Sequence, residues 1–240
     1  VIYFEGERTT DYRVLRVQKN RYGPSGEITV FQMTYEGLQS LAEDKLLTFT
    51  QTPGNVFTSA FEGSRAFNVQ IQSLVSRVKM ASGRRISHGI DLRKVIIISA
   101  VLSKHLNLPL DFHDIYINVS GGINISDPGC ELAVAGAILS SFLDTFTGNT
   151  FMVGEIGLDG SIRPAVNMSK RLESAKKLPV DMIVIPSKAI NIPKNIENTK
   201  GNLLKTIRVE YVDTVKELFN LVLDNNVYRN QNKNQKNGED

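Results

Sequence analysis

The chain has 240 residues, of which 41% are hydrophobic and 22% are charged, and its formal net charge is +3. This composition is typical of a globular protein with one large domain, or one domain plus an appendage. The small positive charge excludes a protein that coats nucleic acid through bulk charge alone. A single cysteine, Cys130, excludes an internal disulfide and a cysteine-based zinc site within the chain, and it indicates a reducing compartment.

The first part of the chain, residues 1–45, is predicted to be rich in β-structure. The runs VIYFEGER, DYRVLRVQ and ITVFQMT predict antiparallel strands over residues 1–34, with the loop KNRYGPSGE before the third strand. The stretch YEGLQSLAEDKLL predicts a short helical or irregular bridge. The turn residues of QTPGN then indicate a domain boundary near residues 42–52.

A second domain is predicted over residues 50–225. NVFTSAFEG and RAFNVQIQSLV alternate in polarity and predict a hairpin about Glu62-Gly63. Asp91 is placed to cap a helix that runs through His105. Further strands are predicted at DIYINVS and DMIVIP, and FMVGEIGLDGSIRP predicts a hairpin with its turn at Asp159-Gly160.

Three more helices are predicted in the same domain. One is strongly apolar and runs from Gly129 to Phe142, and one is amphipathic and runs from Met168 to Leu178. The third follows IRVEYV, where Thr214 and Glu217 have the spacing of a capping box. Residues 226–240 are polar and rich in asparagine and lysine, so we expect a disordered tail. The intermixed strands and helices predict a mixed α/β (α+β) fold.

Three motifs in this order resemble one family of proteins. They are KNRYG, then FEGSRAFNVQIQSLV with RRISHGIDLRKV, then VSGGINISDPGCELAVAGAILSSF with VGEIGLDGSIRPAVNMSKRLESAKKL. Together they resemble the bacterial RadA/Sms DNA repair proteins over residues 1–225. The resemblance implies that residues 1–45 are the last antiparallel strands of a RecA-like ATPase core. It also implies that residues 50–225 form a Lon-protease-like domain with the ribosomal S5 domain 2-like fold.

The resemblance further implies that the proteolytic dyad is degenerate. Active Lon-type proteases place a serine directly after the proline of this turn, where Gly129 follows Pro128 and Cys130 comes one residue later. Their general-base lysine aligns with Arg171, and an arginine stays protonated at physiological pH, so it cannot accept a proton. We therefore expect the domain to be catalytically inactive.

Two alternatives remain open from the sequence. A helix N-terminus lowers the pKa of a thiol and makes it more reactive, but the charge of Glu131 beside Cys130 opposes ionisation. We therefore favour the interpretation that Cys130 is a small buried residue in a tight turn. The rival is an active peptidase with a rearranged dyad, in which Cys130 or Ser126 is the nucleophile and Lys170 the base. A module that only binds partners and has no motor is the other alternative.

Two basic segments are candidates for contact with DNA. The resemblance implies that the KNRYG motif (Lys19, Asn20, Arg21, Tyr22, Gly23) couples ATP turnover to work on DNA within a hexameric ring, although the residues alone are compatible with a solvated turn. GRRISHGIDLRK contains basic side chains close together in sequence, and such clusters can follow a phosphate backbone or simply be solvated. Its candidate residues are Arg84, Arg85, His88, Arg93 and Lys94.

No cofactor is expected for this chain alone. It contains no G-x-x-x-x-G-K-[ST] loop, and His88, His105 and His113 lack metal-ligand spacing. The acidic residues Glu155, Asp159 and Glu173 are expected at a solvated surface. The family resemblance implies ATP and Mg²⁺ for the full-length protein, and zinc in an N-terminal element upstream of these residues, because the chain begins without methionine and within a predicted strand.

The family resemblance also implies partners and a location. The partners are single-stranded or branched DNA, further copies in a homohexamer, and a RecA-type recombinase. The implied activity of the whole protein is ATP-driven branch migration. No run of about 18 apolar residues occurs, so no membrane partner is expected. The expected location is the cytoplasm of a bacterium, or a plastid or mitochondrion of a eukaryote.

Overall fold

A computed structural model describes most of the chain. The described residues are 1–5, 11–17, 19–22, 28–40, 47, 52–62, 65–78, 82–145, 148–189 and 207–224. They form a small N-terminal sheet and a larger sheet that packs against helices. The predicted domain boundary falls largely on residues 41–46 and 48–51, and the predicted tail on residues 226–240, and these lie outside the described residues.

The N-terminal sheet is an antiparallel meander. Its strands are β1 (Ile2–Glu5), β2 (Tyr12–Val17), β3 (Ile28–Thr34) and β4 (Gly37–Ser40), and they lie side by side in that order. The three predicted strands are confirmed, but the bridge predicted to follow them is wrong at its start. Thr34 pairs with Gly37 across a two-residue turn, and the positive φ of Gly37 (111°) returns the chain directly as a fourth strand.

The larger sheet mixes parallel and antiparallel strands, which confirms the predicted fold class. Its strands are β5 (Asn55–Glu62), β6 (Arg65–Arg77), β7 (Arg85–His88), β8 (His113–Val119), β9 (Thr150–Met152), β12 (Met182–Ile185) and β13 (Arg208–Tyr211). They lie in the order β13-β12-β9-β5-β6-β8-β7. The strands β5, β9, β12 and β13 run parallel, β5-β6 is the predicted hairpin, β8 is antiparallel to β6, and β7 is parallel to β8.

The hairpin predicted for FMVGEIGLDGSIRP is only partly correct. Its first residues form β9, which joins the larger sheet, and only β10 (Glu155–Ile156) and β11 (Ile162–Arg163) pair as a hairpin about Asp159-Gly160. The chain leaves the sheet at Gly154, because the Gly154 N–H donates to the carbonyl of Gly129 at 2.9 Å and its carbonyl accepts from the Leu132 N–H at 3.0 Å.

The helices lie close to their predicted positions. They are α1 (Leu92–Leu106), α2 (Glu131–Phe142), α3 (Met168–Ala175) and α4 (215–224). Asp91 caps α1 as predicted, because its carboxylate accepts from the Arg93 N–H at 2.9 Å. α2 begins two residues later than predicted, after a 3-10 turn at Pro128–Cys130. None of the described helices has the length and apolar character needed to cross a bilayer.

The helices cover the two faces of the larger sheet unequally. α1, α2 and α4 pack on one face, where α2 buries every residue from 132 to 140. α3 packs on the other face, against β5, the start of β6 and the apolar residues of β9 and β12. No described helix covers that second face over the C-terminal half of β6, β8 and β7, where Leu74 is 60% exposed and Ile86 is 40% exposed.

Candidate functional site

The two positions predicted to replace the proteolytic dyad are neighbours in space. Gly129 lies in the 3-10 turn before α2, and Arg171 lies on α3. A Cβ added at Gly129 would lie 2.8 Å from the Cβ of Ala165 and 2.9 Å from both Cζ and Nη1 of Arg171. The guanidinium therefore occupies the volume into which a side chain at position 129 would project.

Arg171 is a buried structural cation. Its side chain is 1% exposed, and its fork meets the carboxylate of Asp127, with Nη1–Oδ2 at 2.7 Å and Nη2–Oδ1 at 3.0 Å. Nη1 also donates to the carbonyl of Ser59 at 2.6 Å, and Nε donates to the carbonyl of Val166 at 2.7 Å. A bidentate pair with further hydrogen bonds is the arrangement that makes a buried charge tolerable.

Asp127 is the residue of this site that sequence reasoning missed. Besides Arg171, its carboxylate accepts from the backbone N–H of Phe61 at 2.5 Å and of Gly129 at 2.9 Å. It therefore joins β5, the turn before α2 and α3. An aspartate directly before a turn is interpreted from sequence as a local cap, and nothing in the spacing indicates a partner on a distant helix.

Cys130 is buried and poorly suited to act as a nucleophile. The residue has 0% exposure, and its Sγ donates to the carbonyl of Ser59 at 3.7 Å. Burial, and secondly the negative charge of Asp127, raise the pKa of the Cys130 thiol to about 12. The carboxylate that opposes ionisation of the Cys130 thiol is thus Asp127, and not Glu131 as the sequence indicates. Glu131 instead pairs with Lys94 at 3.4 Å and accepts from the Ile156 N–H at 3.0 Å.

The native chain is expected to resist alkylation at Cys130. With a pKa of about 12, the thiolate fraction at pH 8 is roughly a thousandfold below that of a free cysteine. Iodoacetamide labelling followed by intact-mass measurement should therefore proceed only as fast as the chain unfolds. The same labelling in denaturant is the control, since Cys130 is the only cysteine in the chain. Rapid labelling of the folded chain at neutral pH would restore the thiol as a candidate nucleophile.

The other members of the rival dyad have different surroundings. The ammonium that reaches Ser126 is that of Lys94, which donates to the Ser126 carbonyl at 3.0 Å. Lys170 is exposed, and its Nζ lies 5.7 Å from the centre of the Phe61 ring. Lys170 and the buried Arg171 are therefore on different faces of α3, as the sequence indicates.

Glu155 does not lie at a solvated surface as expected. The residue is half-buried, and burial, followed by the negative charges of Glu131 and Asp127, raises the pKa of its carboxyl group. Arg171 and Lys94 oppose this shift. The charges of Asp127, Glu131, Arg171 and Lys94 thus act on Glu155, whereas Asp159 and Glu173 are exposed as predicted.

The structure divides the candidate basic cluster into two sets. The exposed set consists of His88, Arg84, whose side chain is 73% exposed and pairs with Asp114 at 3.4 Å, and Arg93, which pairs with its own cap Asp91 at 2.7 Å. Arg85 and Lys94 instead have structural roles. The Arg85 side chain is 13% exposed, and its guanidinium donates to the carbonyls of Gly83, His113 and Leu110.

The first four residues of the KNRYG motif form an exposed loop directly after β2. The side chains of Lys19, Asn20, Arg21 and Tyr22 are all exposed, and the Tyr22 N–H donates to Asn20 Oδ1 at 3.1 Å. Gly23 lies outside the described residues. Among the described residues, no group of three or more His, Cys, Asp or Glu side chains is arranged to hold a metal ion.

Known proteins are similar to this chain over most of its length. The Lon protease (S16) C-terminal proteolytic domain matches residues 94–225. Strands β5 to β7 precede the matched segment but belong to the same sheet. The chain is also similar to proteins named DNA repair protein RadA: 41% identical over 192 residues in Helicobacter pylori, 38% over 191 in Synechocystis, and 35% over 230 in Listeria monocytogenes.

These relatives are considerably longer than the chain. The alignments cover 78%, 78% and 93% of this chain but only 43%, 38% and 48% of the Helicobacter, Synechocystis and Listeria proteins. The chain thus spans about half the length of the curated relatives it matches. It belongs to the Lon protease C-terminal proteolytic domain family and is the counterpart of the C-terminal region of the RadA proteins.

Proposed function

We propose that this chain is the C-terminal portion of an ATP-dependent DNA repair protein that promotes branch migration. Its Lon-type domain serves as a proteolytically inactive scaffold for a hexameric ring and offers a surface that binds DNA. The protein works in the cytoplasm of a bacterium, or in an organelle of bacterial descent. The relatives named as DNA repair proteins support the repair role, and the loss of the dyad supports the scaffold.

The observation that carries the proposal is the ion pair between Arg171 and Asp127. The Arg171 guanidinium fills the space that a nucleophilic side chain at position 129 would need. Arginine is also a permanent cation, whereas the amine of a catalytic lysine can lose its proton. Both changes remove acyl-transfer chemistry, and the same contacts strengthen the packing of α3 against β5. A domain with this arrangement is suited to holding other elements in place.

The DNA surface is proposed on the exposed cations. Arg84 and Arg93 have side chains that are 73% and 86% exposed, so phosphate groups can reach both. Lys19 and Arg21 of the KNRYG motif are also exposed, and in the complete protein they link this region to ATP turnover. Arg85 and Lys94 are left out of the proposed surface because their side chains bond within the domain.

The combined substitution Arg84→Ala and Arg93→Ala tests this surface. Affinity for a fluorescent single-stranded oligonucleotide, measured by anisotropy over a series of salt concentrations, should fall, and the slope of log affinity against log salt should flatten by about 1.4. This is the loss expected for two phosphate contacts at about 0.7 each. The matched control is Arg163→Ala, because Arg163 is also an exposed arginine paired with an aspartate.

The result that contradicts the proposed surface is also specific. If the double variant keeps the slope of the unaltered chain, or if Arg163→Ala flattens it equally, then Arg84 and Arg93 do not contact phosphate. Loss of all binding together with loss of the circular dichroism of the fold would require repeating the test with Arg84→Gln and Arg93→Gln, which preserve polar side chains of similar length.

A further inference from the structure

The open face of the larger sheet carries two ordered rows of side chains. Neighbouring strands place residues of the same face opposite one another, so the register determines the rows. One row is apolar and aromatic, and contains Leu74, Tyr116 and Ile86. The next row is polar, and contains Gln72, Asn118 and His88.

The rows line a concavity of about 320 Å³. Its volume lies at the lower end of the range of about 300–1,000 Å³ that ligand sites take. The concavity is open because α3 covers only one part of this face. That part includes Asn68, whose amide donates to the Ser174 carbonyl at 2.9 Å. Beyond that point, no described helix packs over β6, β8 and β7 on this side.

We propose that this open face is a stacking platform for single-stranded DNA, with the ring of Tyr116 at its centre. The inference rests on the proposed role in binding DNA and names the part of the DNA that is bound and the surface that binds it. Aromatic and aliphatic side chains on an open sheet offer flat contacts to unpaired bases, and such stacking is tolerant of sequence. A duplex hides these base faces and would not use the platform.

The contacts within the face hold the platform in one conformation before a ligand arrives. The Tyr116 hydroxyl donates to Asp114 at 3.2 Å, which orients the ring, and the Asn118 amide donates to Gln72 Oε1 at 3.0 Å, which orients both amides. This bond uses one donor and one acceptor, so the amides keep others that can meet the edges of bases. Preorganised side chains lose little entropy on binding.

The charges around the platform suit a polyanion. Among the residues that line the concavity, all of them in the described part of the chain, none is acidic. The nearby Asp114 carboxylate is buried, and it accepts from the Arg84 N–H at 2.7 Å and from the Arg84 guanidinium at 3.4 Å. Arg84 and His88 are four residues apart on one extended segment, about 13 Å, and their side chains lie on the same face.

Two measurements on the full chain test the platform. In the first, anisotropy with a 20-nucleotide oligothymidine and with a 20-base-pair duplex is compared between the unaltered chain and Tyr116→Ala. Affinity for the single strand should fall between about 5-fold and about 150-fold, the range for one lost base stack, while duplex affinity changes less than about 2-fold. Tyr116→Phe, which keeps the ring, should stay close to the unaltered chain. The control is Phe112→Ala, an exposed aromatic residue outside the platform.

The second measurement needs no substitution, so it stands even if Tyr116→Ala fails to fold. A single strand with 5-bromouracil at defined positions is irradiated on the unaltered chain, and the cross-linked peptides are identified by mass spectrometry. Cross-links within residues 72–76, 84–88 or 114–118 support the platform. Cross-links that lie only elsewhere overturn it.

The outcomes separate this inference from the proposed function. If Tyr116→Ala behaves as Phe112→Ala does, while the Arg84 and Arg93 substitutions still weaken binding, the platform is wrong and the DNA surface stands. If the chain binds the duplex but no single-stranded DNA, the platform is wrong and the DNA surface stands, and if it binds neither, both are wrong. If Tyr116→Ala changes only the sedimentation of the chain and not its affinity for DNA, the face is a contact between copies, and the platform is wrong.

Discussion

Replacing Arg171 with alanine is expected to lower the free energy of unfolding by about 3–5 kcal/mol. The substitution leaves the Asp127 carboxylate in a site where its side chain is only 10% exposed and has lost its cation. It also removes the donors to the carbonyls of Ser59 and Val166. A buried charge without its partner, beside carbonyl groups that have lost a charged donor, is among the few mechanisms that cost this much. Chemical denaturation followed by circular dichroism measures the loss.

Lys170→Ala is the matched control, because Lys170 precedes Arg171 on the same helix but is exposed. Surface changes of this kind are usually worth within about 0.5 kcal/mol. Arg171→Lys should lie between the two, since an ammonium keeps the charge but cannot form the bidentate fork. Equal stability of the Arg171→Ala and Lys170→Ala variants would show that the ion pair contributes nothing to the fold.

Introducing a serine at position 129 is expected to destabilise the chain without creating a peptidase. The new Cβ would meet Ala165 and the Arg171 guanidinium at 2.8–2.9 Å, closer than unbonded carbon atoms pack. Arg171 cannot move aside, because several backbone and side-chain groups hold it. Overpacking of this kind typically costs about 1–3 kcal/mol. A fluorogenic peptide should be cleaved no faster by Gly129→Ser than by buffer.

The double variant Gly129→Ser with Arg171→Lys completes a mutant cycle. The smaller lysine side chain relieves the contact with the introduced hydroxymethyl group, so the double variant should be more stable than the sum of the two single losses predicts, by about 0.5–3 kcal/mol. Peptide cleavage should still be absent, because Asp127 would pair with the new ammonium and keep it from acting as a base. Turnover by the unaltered chain would contradict the scaffold role, and turnover by this variant would contradict the pairing expected for Asp127.

The main features of the fold follow from the sequence. Alternation and turn residues identify β5 and β6, and the apolar run after Pro128 identifies α2, because these signals are local. The family resemblance also predicts that Gly129 and Arg171 replace the serine and the lysine of an active dyad, and this assignment stays a prediction. The contacts of the Arg171 side chain cannot be predicted from the sequence, because its partners Asp127 and Ser59 are 44 and 112 residues away.

The basic cluster shows that a local sequence pattern does not predict which cations are exposed. Without a strand predicted at residues 85–88, Arg84 and Arg85 are equivalent in sequence. In the structure their side chains lie on opposite faces of the sheet, as successive residues of an extended segment do. One points to solvent and the other bonds to carbonyl groups of the α1–β8 connection. The open face of β6, β8 and β7 depends on where α3 ends, which no local pattern contains.

The carboxylate of Asp127 has a consequence for how the domain opens. It is bonded at the same time to the end of β5, to the turn before α2 and to α3, segments that are far apart along the chain. If α3 alone frayed, the Asp127 carboxylate would stay buried without its cation. If the turn alone loosened, the Arg171 guanidinium would stay buried without its anion. The three segments are therefore expected to behave as one cooperative unit in native-state hydrogen exchange, with a shared opening free energy, although each is short enough to fray individually in isolation.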